Sequence, residues 1–402
     1  MVPEGWKRAP LESVAEVRTG VAKGKSGLKD PITVPYLRVA NVQDGHLDLS
    51  EVKTIEIERS QLERYSLKKG DVLMNEGGDF DKLGRGDVWS GQIETCLHQN
   101  HVFAVRPNQK VITPYFLAAL AGSHYGKSFF LSCAKKSTNL ASINSSQLKE
   151  FQVLIPPLDE QDKIAKILST WDQAIAIAER LLGNRQRQKK ALMQQLLTGK
   201  QRIFGFHEAW RMLPLGESFR ERVETGFFNL PLLSITSEGG VVNRESVGRK
   251  DTSNADKSKY LRICPNDIGY NTMRMWQGVS GLSSQEGIVS PAYTILIPQA
   301  DVDPLFCSYL FKLPSLVHVF CRHSQGLVSD TWNLKYSNFA KIKWLIPGID
   351  EQKAIAKVLA AADHELDALT QRLACLKQEK KALMQQLLTG KRRVIVDAKE
   401  AM

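Results

Sequence analysis

The sequence predicts an α+β protein: two variable domains with mixed sheets, separated by two long helices that pair antiparallel as a coiled coil, in a pseudo-twofold repeat. Three observations predict it. The twelve residues KKALMQQLLTGK occur twice, at 189–200 and 380–391, a spacing of 191. The same spacing holds without a gap back through DEQ, at Asp159 and Asp350, to LIP, at Leu154 and Leu345. The segments between these pieces are much less alike, while the pieces themselves carry helical heptads. Two similar units, each closed by a near-identical segment, is the simplest reading, and it suits a chain that reads two different things with one scaffold.

In chain order, residues 1–153 form the first variable domain, with short β-like runs such as Val72 to Met74 and His101 to Val105 set between glycine-rich turns. Residues 154–204 read as the first long helix, 205–344 as the second variable domain and 345–393 as the second helix. The tail 394–402 is assigned no role. The domain starts correspond as well: Trp6 with Pro10-Leu11 matches Trp210 with Pro214-Leu215, at an offset of 204 rather than 191. Gly70-Asp71-Val72 followed by Asn75 parallels Asn266-Asp267-Ile268 followed by Asn271, in both cases a turn leading into a buried strand.

Apolar residues recur along the helices in alternating steps of four and three. The seam comprises Ile164, Leu168, Trp171, Ile175, Leu182, Leu192 and Leu196 in the first, and Ile355, Leu359, Leu366, Leu369, Leu373, Leu383 and Leu387 in the second. That phase marks a coiled coil. Arg185, Lys189 and Lys380 fill seam positions badly. Prolines precede both helices, Asp159 and Asp350 are expected as N-caps, and Gly199 and Gly390 stand where left-handed C-terminal caps belong. Forty helical residues reach about 60 Å. Pairing with each other would set the variable domains at opposite ends of a rod; pairing of each helix with another molecule is the alternative.

Composition narrows the function. The net charge of +11 favours a polyanionic partner, because Lys and Arg displace counterions from phosphate. Six cysteines form no CxxC pair and have no histidines at zinc-ligand spacing, so no metal site is expected. No apolar run approaches a membrane span and the start has no apolar signal region, which makes a cytoplasmic protein the expectation. Catalytic motifs are missing: there is no NPPY-type adenine-methyltransferase string, and Gly20 to Ser26 has three residues between its glycines where a phosphate loop needs four. Scattered histidines such as His98, His101, His318 and His323 read as core or surface residues.

Taken together, LIPPLDEQDKIAKIL at 154–168, LIPGIDEQKAIAKVL at 345–359, the doubled ALMQQLLTGK, PYLRVANVQDG at 35–45, GDVLMNEGG at 70–78, LHQNHVFAV at 97–105 and YNTMRMWQGVSG at 270–281 resemble the specificity subunits of type I restriction–modification enzymes. The resemblance covers essentially the whole chain. It implies a subunit without catalytic activity or cofactor of its own, in which each variable domain is a target-recognition domain reading one half of a split, asymmetric site in double-stranded DNA, with the helices setting the spacer. It further implies two modification subunits docked on the helices, methylating adenine with S-adenosylmethionine, and restriction subunits completing a translocating nuclease. A coiled-coil adaptor without DNA specificity and a self-sufficient nuclease or methyltransferase are the alternatives.

Donors in glycine-rich loops are the candidate DNA contacts: Lys23, Lys25, Arg38, Asn41, Gln43, Asn75, Lys82, Arg85, Lys135 and Lys136 in the first domain, and Arg244, Arg249, Lys250, Asn271, Arg274, Gln277, Arg322, Gln325 and Lys335 in the second. Arg, Asn and Gln can bond base edges bidentately, whereas Lys more often meets phosphate. The turn at 38–43 and the loops 77–86 and 271–278 lead. Gly77, Gly78, Gly84 and Gly86 would let backbone approach a groove, or simply supply turns at positive φ. On the helices, packing explains the repeated leucines but not Gln194, Gln195, Gln385 and Gln386. These, with DEQ, are expected to mark two equivalent docking surfaces for one kind of partner.

Overall fold

The computed structural model describes residues 2–23, 27–136, 140–248, 256–327 and 331–396. The chain divides into two compact units, Met1–Glu179 with Arg372–Met402, and Arg180–Gln371. Each takes part of both long helices, which run Leu158–Leu196 and Ile349–Leu387.

In the first unit, Ala15–Thr19, Val102–Pro107, Val72–Asn75 and Gly86–Val88 form an antiparallel sheet in that spatial order. Beside it Pro31–Leu37 pairs parallel with Leu97–His98 and antiparallel with Lys53–Glu58, a mixed sheet. The second unit repeats the four-stranded order with Phe219–Arg222, Tyr293–Pro298, Ile268–Asn271 and Ser280–Leu282. Burial on both faces explains why Val72 to Met74 read as a continuous apolar run rather than an alternating one. Each of these central strands follows a left-handed residue, Gly70 at φ 94° or Asn266 at φ 71°. The aspartate after it is buried and held by a forked guanidinium. Asp71 accepts from Arg106 Nε and Nη2 at 2.7 and 2.8 Å, and Asp267 from Arg222 at 2.7 and 3.2 Å.

LIP is strand rather than helix. Gln152–Ile155 pairs antiparallel with Lys7–Pro10, and Lys343–Ile346 with Arg211–Pro214. Pro156-Pro157 and Pro347 lack an N–H and hold the preceding residue extended, so each helix starts only at Leu158 or Ile349. Asp159 and Asp350 consequently lie in the first helical turn and not at the N-cap. The C-terminal ends behave as expected, with Gly199 at φ 69° and Gly390 at φ 67°.

DEQ does not form a docking surface. Its glutamate and glutamine are buried in both copies. Gln161 Nε2 donates to the carbonyls of Val111 and Pro156 at 2.9 and 2.8 Å, and its Oε1 accepts from Thr113 N–H at 2.7 Å. Gln352 repeats this with Asp301, Pro347 and Asp303 at 2.9, 2.9 and 2.8 Å. Glu160 accepts Trp6 Nε1–H at 3.2 Å and Arg393 Nε–H at 2.9 Å, with a second bond from Arg393 Nη2. Glu351 accepts Trp210 Nε1–H at 3.0 Å and both arms of Arg202 at 2.6 and 2.7 Å. Arg202 and Arg393 are themselves in the 191 register.

Within each unit the helical segments run antiparallel. Ile164 and Leu168 share a core with Leu387 and the half-buried Leu383. Ile355 and Leu359 share one with Leu196 and the half-buried Leu192. Trp171, Ile175, Leu182, Leu366, Leu369 and Leu373 are half-buried. The charged interruptions are explained by partners on the facing helix. Lys380 pairs with Asp172 and Lys189 with Asp363, again in the 191 register, and Arg185 meets Glu365 at 3.0 Å. Asp363 also accepts Tyr309 Oη–H at 2.6 Å.

No single helix among the described residues is long and apolar enough to cross a membrane. The apolar pair Pro304–Leu310 and Pro314–His323, bent by 79°, instead buries Phe306, Leu310, Leu316 and Phe320 in the second core.

Gln161→Leu and Gln352→Leu each strand a buried N–H and two buried carbonyls. Each is expected to lower stability by about 3 kcal/mol, and the two losses should match, as read from urea midpoints. His98 is buried against the Val102 carbonyl at 2.7 Å, and burial pushes its imidazole down to about 4. The unfolded chain then binds the extra proton between pH 6.5 and 4, so stability is full above 6.5 and falls as pH drops through this window. Relative to His98→Gln, the protein should lose about 2 kcal/mol between pH 7 and pH 5, measured by denaturant unfolding at both values.

Candidate nucleic-acid interface

In the first unit the chain leaves the buried strand at Asn75 and turns into Gly77–Gly78, which pairs with Ala141–Ser142, which in turn pairs with Lys135–Lys136. A side chain at Gly77 would meet the Ala141 carbonyl at 2.7 Å, and one at Gly86 would meet the Leu73 carbonyl at 1.6 Å. These glycines therefore answer to the protein's own backbone, and not to the approach of a groove. Asn75 is fully buried and donates to the Val42 carbonyl at 2.9 Å, while Gly45 N–H bonds the Gly86 carbonyl at 3.1 Å. Those two bonds seat the 38–43 turn on the 77–86 loop. Lys127 ties a helix to the same turn through Asp44 at 2.7 Å.

Arg38, Gln43, Lys82, Arg85, Lys135 and Lys136 are thus brought to one loop cluster. Lys135 and Lys136 are exposed. The Nε atoms of Arg38 and Arg85 are buried without a hydrogen bond among the described residues, although Arg38 Nη2 also lies 3.7 Å from Glu51. Lys82 pairs with Asp79, and Gln43 Nε2 donates to the Ala40 carbonyl at 2.6 Å. Asn41 is buried, bonding the Asp48 and Glu51 carbonyls and the Arg38 N–H, all at 2.9 Å; with Asn75 it shapes the loops from within. Lys23 sits elsewhere, 5.9 Å from the Tyr36 ring centroid on the mixed sheet. Lys25 lies outside the described residues.

The second unit builds the equivalent cluster differently. Asn271 Oδ1 accepts from Met273 N–H at 3.0 Å as the chain leaves the central strand. The loop then passes through the 3-10 turn Met275–Gln277 to Gly278 at φ 76°. Leu334 N–H bonds the Thr272 carbonyl at 2.8 Å, and Trp276 meets Trp332 edge-on at 5.4 Å. Gln325 bridges to Asn333, so Gln325 and Lys335 border the loop carrying Arg274 and Gln277; all four are exposed. Arg322 is exposed in the last turn of Pro314–His323, a helix that packs on this loop through Val317. Arg244 instead lines a separate cavity of about 450 Å³ with Tyr260 and Tyr293. Arg249 and Lys250 lie outside the described residues.

Sequence reasoning passed over Lys312. Its amine donates to the carbonyls of Gly278 and Ser280, both at 2.8 Å, and of Ser237 at 3.3 Å. Burial pushes it down to about 8. Its signal was present: it is the one charged residue in the apolar run 305–320. On the helices, Gln194, Gln195, Gln385 and Gln386 are all exposed. No cluster of three or more His, Cys, Asp or Glu side chains able to hold a metal occurs among the described residues.

Residues 3–183 match the family model for the type I restriction modification DNA specificity domain. A Methanocaldococcus jannaschii protein, provisionally named the type I restriction enzyme MjaX specificity subunit, is 28% identical over 98% of this chain and 95% of its own length. The EcoKI specificity subunit of Escherichia coli is 26% identical over 43% of this chain and 37% of its own. Among solved structures, the HsdS subunit from Thermoanaerobacter tengcongensis has 16% identity and a TM-score of 0.55, covering 97% of this chain and 98% of that one. A chain from a structure of type I R-M complex assembly and conformational transition has 16% identity and a TM-score of 0.63, over 98% and 100%. The fold is that of a type I specificity subunit. Residues 3–183 match the specificity-domain model, and over nearly its whole length the chain is similar to type I restriction enzyme specificity subunits.

Proposed function

We propose that this chain is the non-catalytic DNA sequence-recognition subunit of a type I restriction–modification complex. Its two units act as target-recognition domains, corresponding to 1–153 and 205–344, each reading one half of a bipartite asymmetric site in double-stranded DNA. The long helices, within 154–204 and 345–393, set the spacer and dock two modification subunits, with restriction subunits joining the same complex. The carrying observation is the pair of loop clusters. Equivalent central strands, ending at Asn75 and Asn271, lead into the loops of Lys82 and Arg85 in one unit and of Arg274 and Gln277 in the other, and Arg38, Lys135 and Lys136, or Arg322, Gln325 and Lys335, join them from neighbouring segments. One scaffold with unlike donors is what two unlike half-sites require. Exposed lysines suit phosphate and the Arg and Gln side chains suit base edges.

Mapping adenine methylation in the host supplies the site. On that duplex, Arg274→Ala with Gln277→Ala should relax discrimination at one half-site by about 1–3 kcal/mol per lost base contact and leave the other half-site unchanged. Lys135→Ala with Lys136→Ala should weaken binding to every sequence alike and reduce the slope of log affinity against log salt by about two. Fluorescence anisotropy over a salt series separates the two behaviours; salt-independent binding without discrimination would leave only a protein adaptor. Gln194→Glu with Gln385→Glu should weaken capture of the modification subunit, read by sedimentation, and unchanged capture moves the docking surface elsewhere.

A further inference from the structure

We infer that Lys312 is the positioning residue that sets the 271–278 loop, and with it the specificity of the half-site read by the second unit; the inference rests on the DNA-reading role proposed for that loop. Lys312 lies in the link between Pro304–Leu310 and Pro314–His323. An ammonium has three N–H donors, and here they meet three carbonyls, those of Gly278 and Ser280 at 2.8 Å and of Ser237 at 3.3 Å. The three acceptors belong to different places in the fold. Gly278 closes the reading loop, Ser280 opens the strand Ser280–Leu282, and Ser237 sits in the turn between Leu233–Thr236 and Gly240–Asn243.

No ion pair to Lys312 occurs among the described residues. A half-buried cation that bonds carbonyls in place of a carboxylate fixes backbone geometry and neutralises nothing. The far end of the loop is fixed independently by the Leu334 N–H bond to Thr272, while Trp276, inside the loop, meets Trp332. Between these two anchors Arg274 and Gln277 stand exposed. Bidentate base readout tolerates little displacement, so releasing the Gly278 end should degrade discrimination before it degrades nonspecific affinity. The first unit steadies its own turn differently, with the solvent-accessible Lys127–Asp44 pair.

The test uses the full chain assembled with its modification subunits, and duplexes carrying single base changes in either half-site. Lys312→Met keeps the stem and removes every donor, and Lys312→Arg returns donors. Lys312→Met should cut discrimination at the half-site sensitive to Arg274→Ala with Gln277→Ala by about tenfold or more, the worth of one base contact. Discrimination at the other half-site and affinity for random duplex should stay unchanged, and Lys312→Arg should recover part of the loss. Should Lys312→Met fail to fold, Lys312→Gln, which keeps an amide donor for only two carbonyls, should show the same one-sided loss. Unchanged discrimination in the folded variants, or equal loss at both half-sites, overturns the inference. Full discrimination in Arg274→Ala with Gln277→Ala at both half-sites overturns instead the reading on which it rests.

Discussion

A buried carboxylate at the start of each long helix is the constraint on which the rest of the structure depends. Glu160 and Glu351 each accept an indole N–H from the first strand region of a domain and a guanidinium fork from the segment that follows a long helix. Such a carboxylate is costly to bury unless its charge and lone pairs are satisfied. Satisfying it requires separate pieces of chain to converge: Trp6, Glu160 and Arg393 in one unit, and the 202–210 stretch, through Arg202 and Trp210, with Glu351 in the other. The neighbouring glutamines, bonding loop backbone three times each, lock the helix onto its domain. A helix held this way transmits its direction to the sheet, and the sheet sets where the loops emerge.

The loops are free to differ because the scaffold does not rely on them. Both central strands start from a left-handed residue and a buried Asp–Arg fork, yet the arginine comes from different strands, Val102–Pro107 in one unit and Phe219–Arg222 in the other. Beyond Asn75 the first unit builds a basic, glycine-tight cluster; beyond Asn271 the second builds an aromatic-braced one with a half-buried amine. Two chemistries at equivalent positions are what the proposed reading of two unlike half-sites requires. The seam ion pairs follow the same economy, since Lys189–Asp363 and Lys380–Asp172 place identical charges in both helical pairs.

Particular residues show how much of this was legible beforehand. Heptad spacing located Ile164, Leu168, Ile355 and Leu359, because periodicity is local and survives in one dimension. Gly199 and Gly390 were readable for the same reason, as were the twin turns before Val72 and Ile268. The segment bounds at 154 and 345 took in LIP, and only its pairing with a strand from the domain start identifies it as β. DEQ looked like a surface motif because its residues are polar. Its burial comes from Trp6, Arg393 and the Val111 and Thr113 backbone, none of which is near in sequence.

The sequence by itself determined the repeat, the helical phase and the resemblance to specificity subunits, since each is written in spacing or in residue identity along the chain. Tertiary structure alone decided which donors face outward and which are spent inside. Asn41 and Asn75 have the same chemistry as Gln277, but their amides are consumed by carbonyls that only folding brings within reach. Lys312 likewise gains its role from three carbonyls that lie 32 to 75 positions away. Hydrogen bonds between residues so far apart leave no local trace, and no one-dimensional pattern records them.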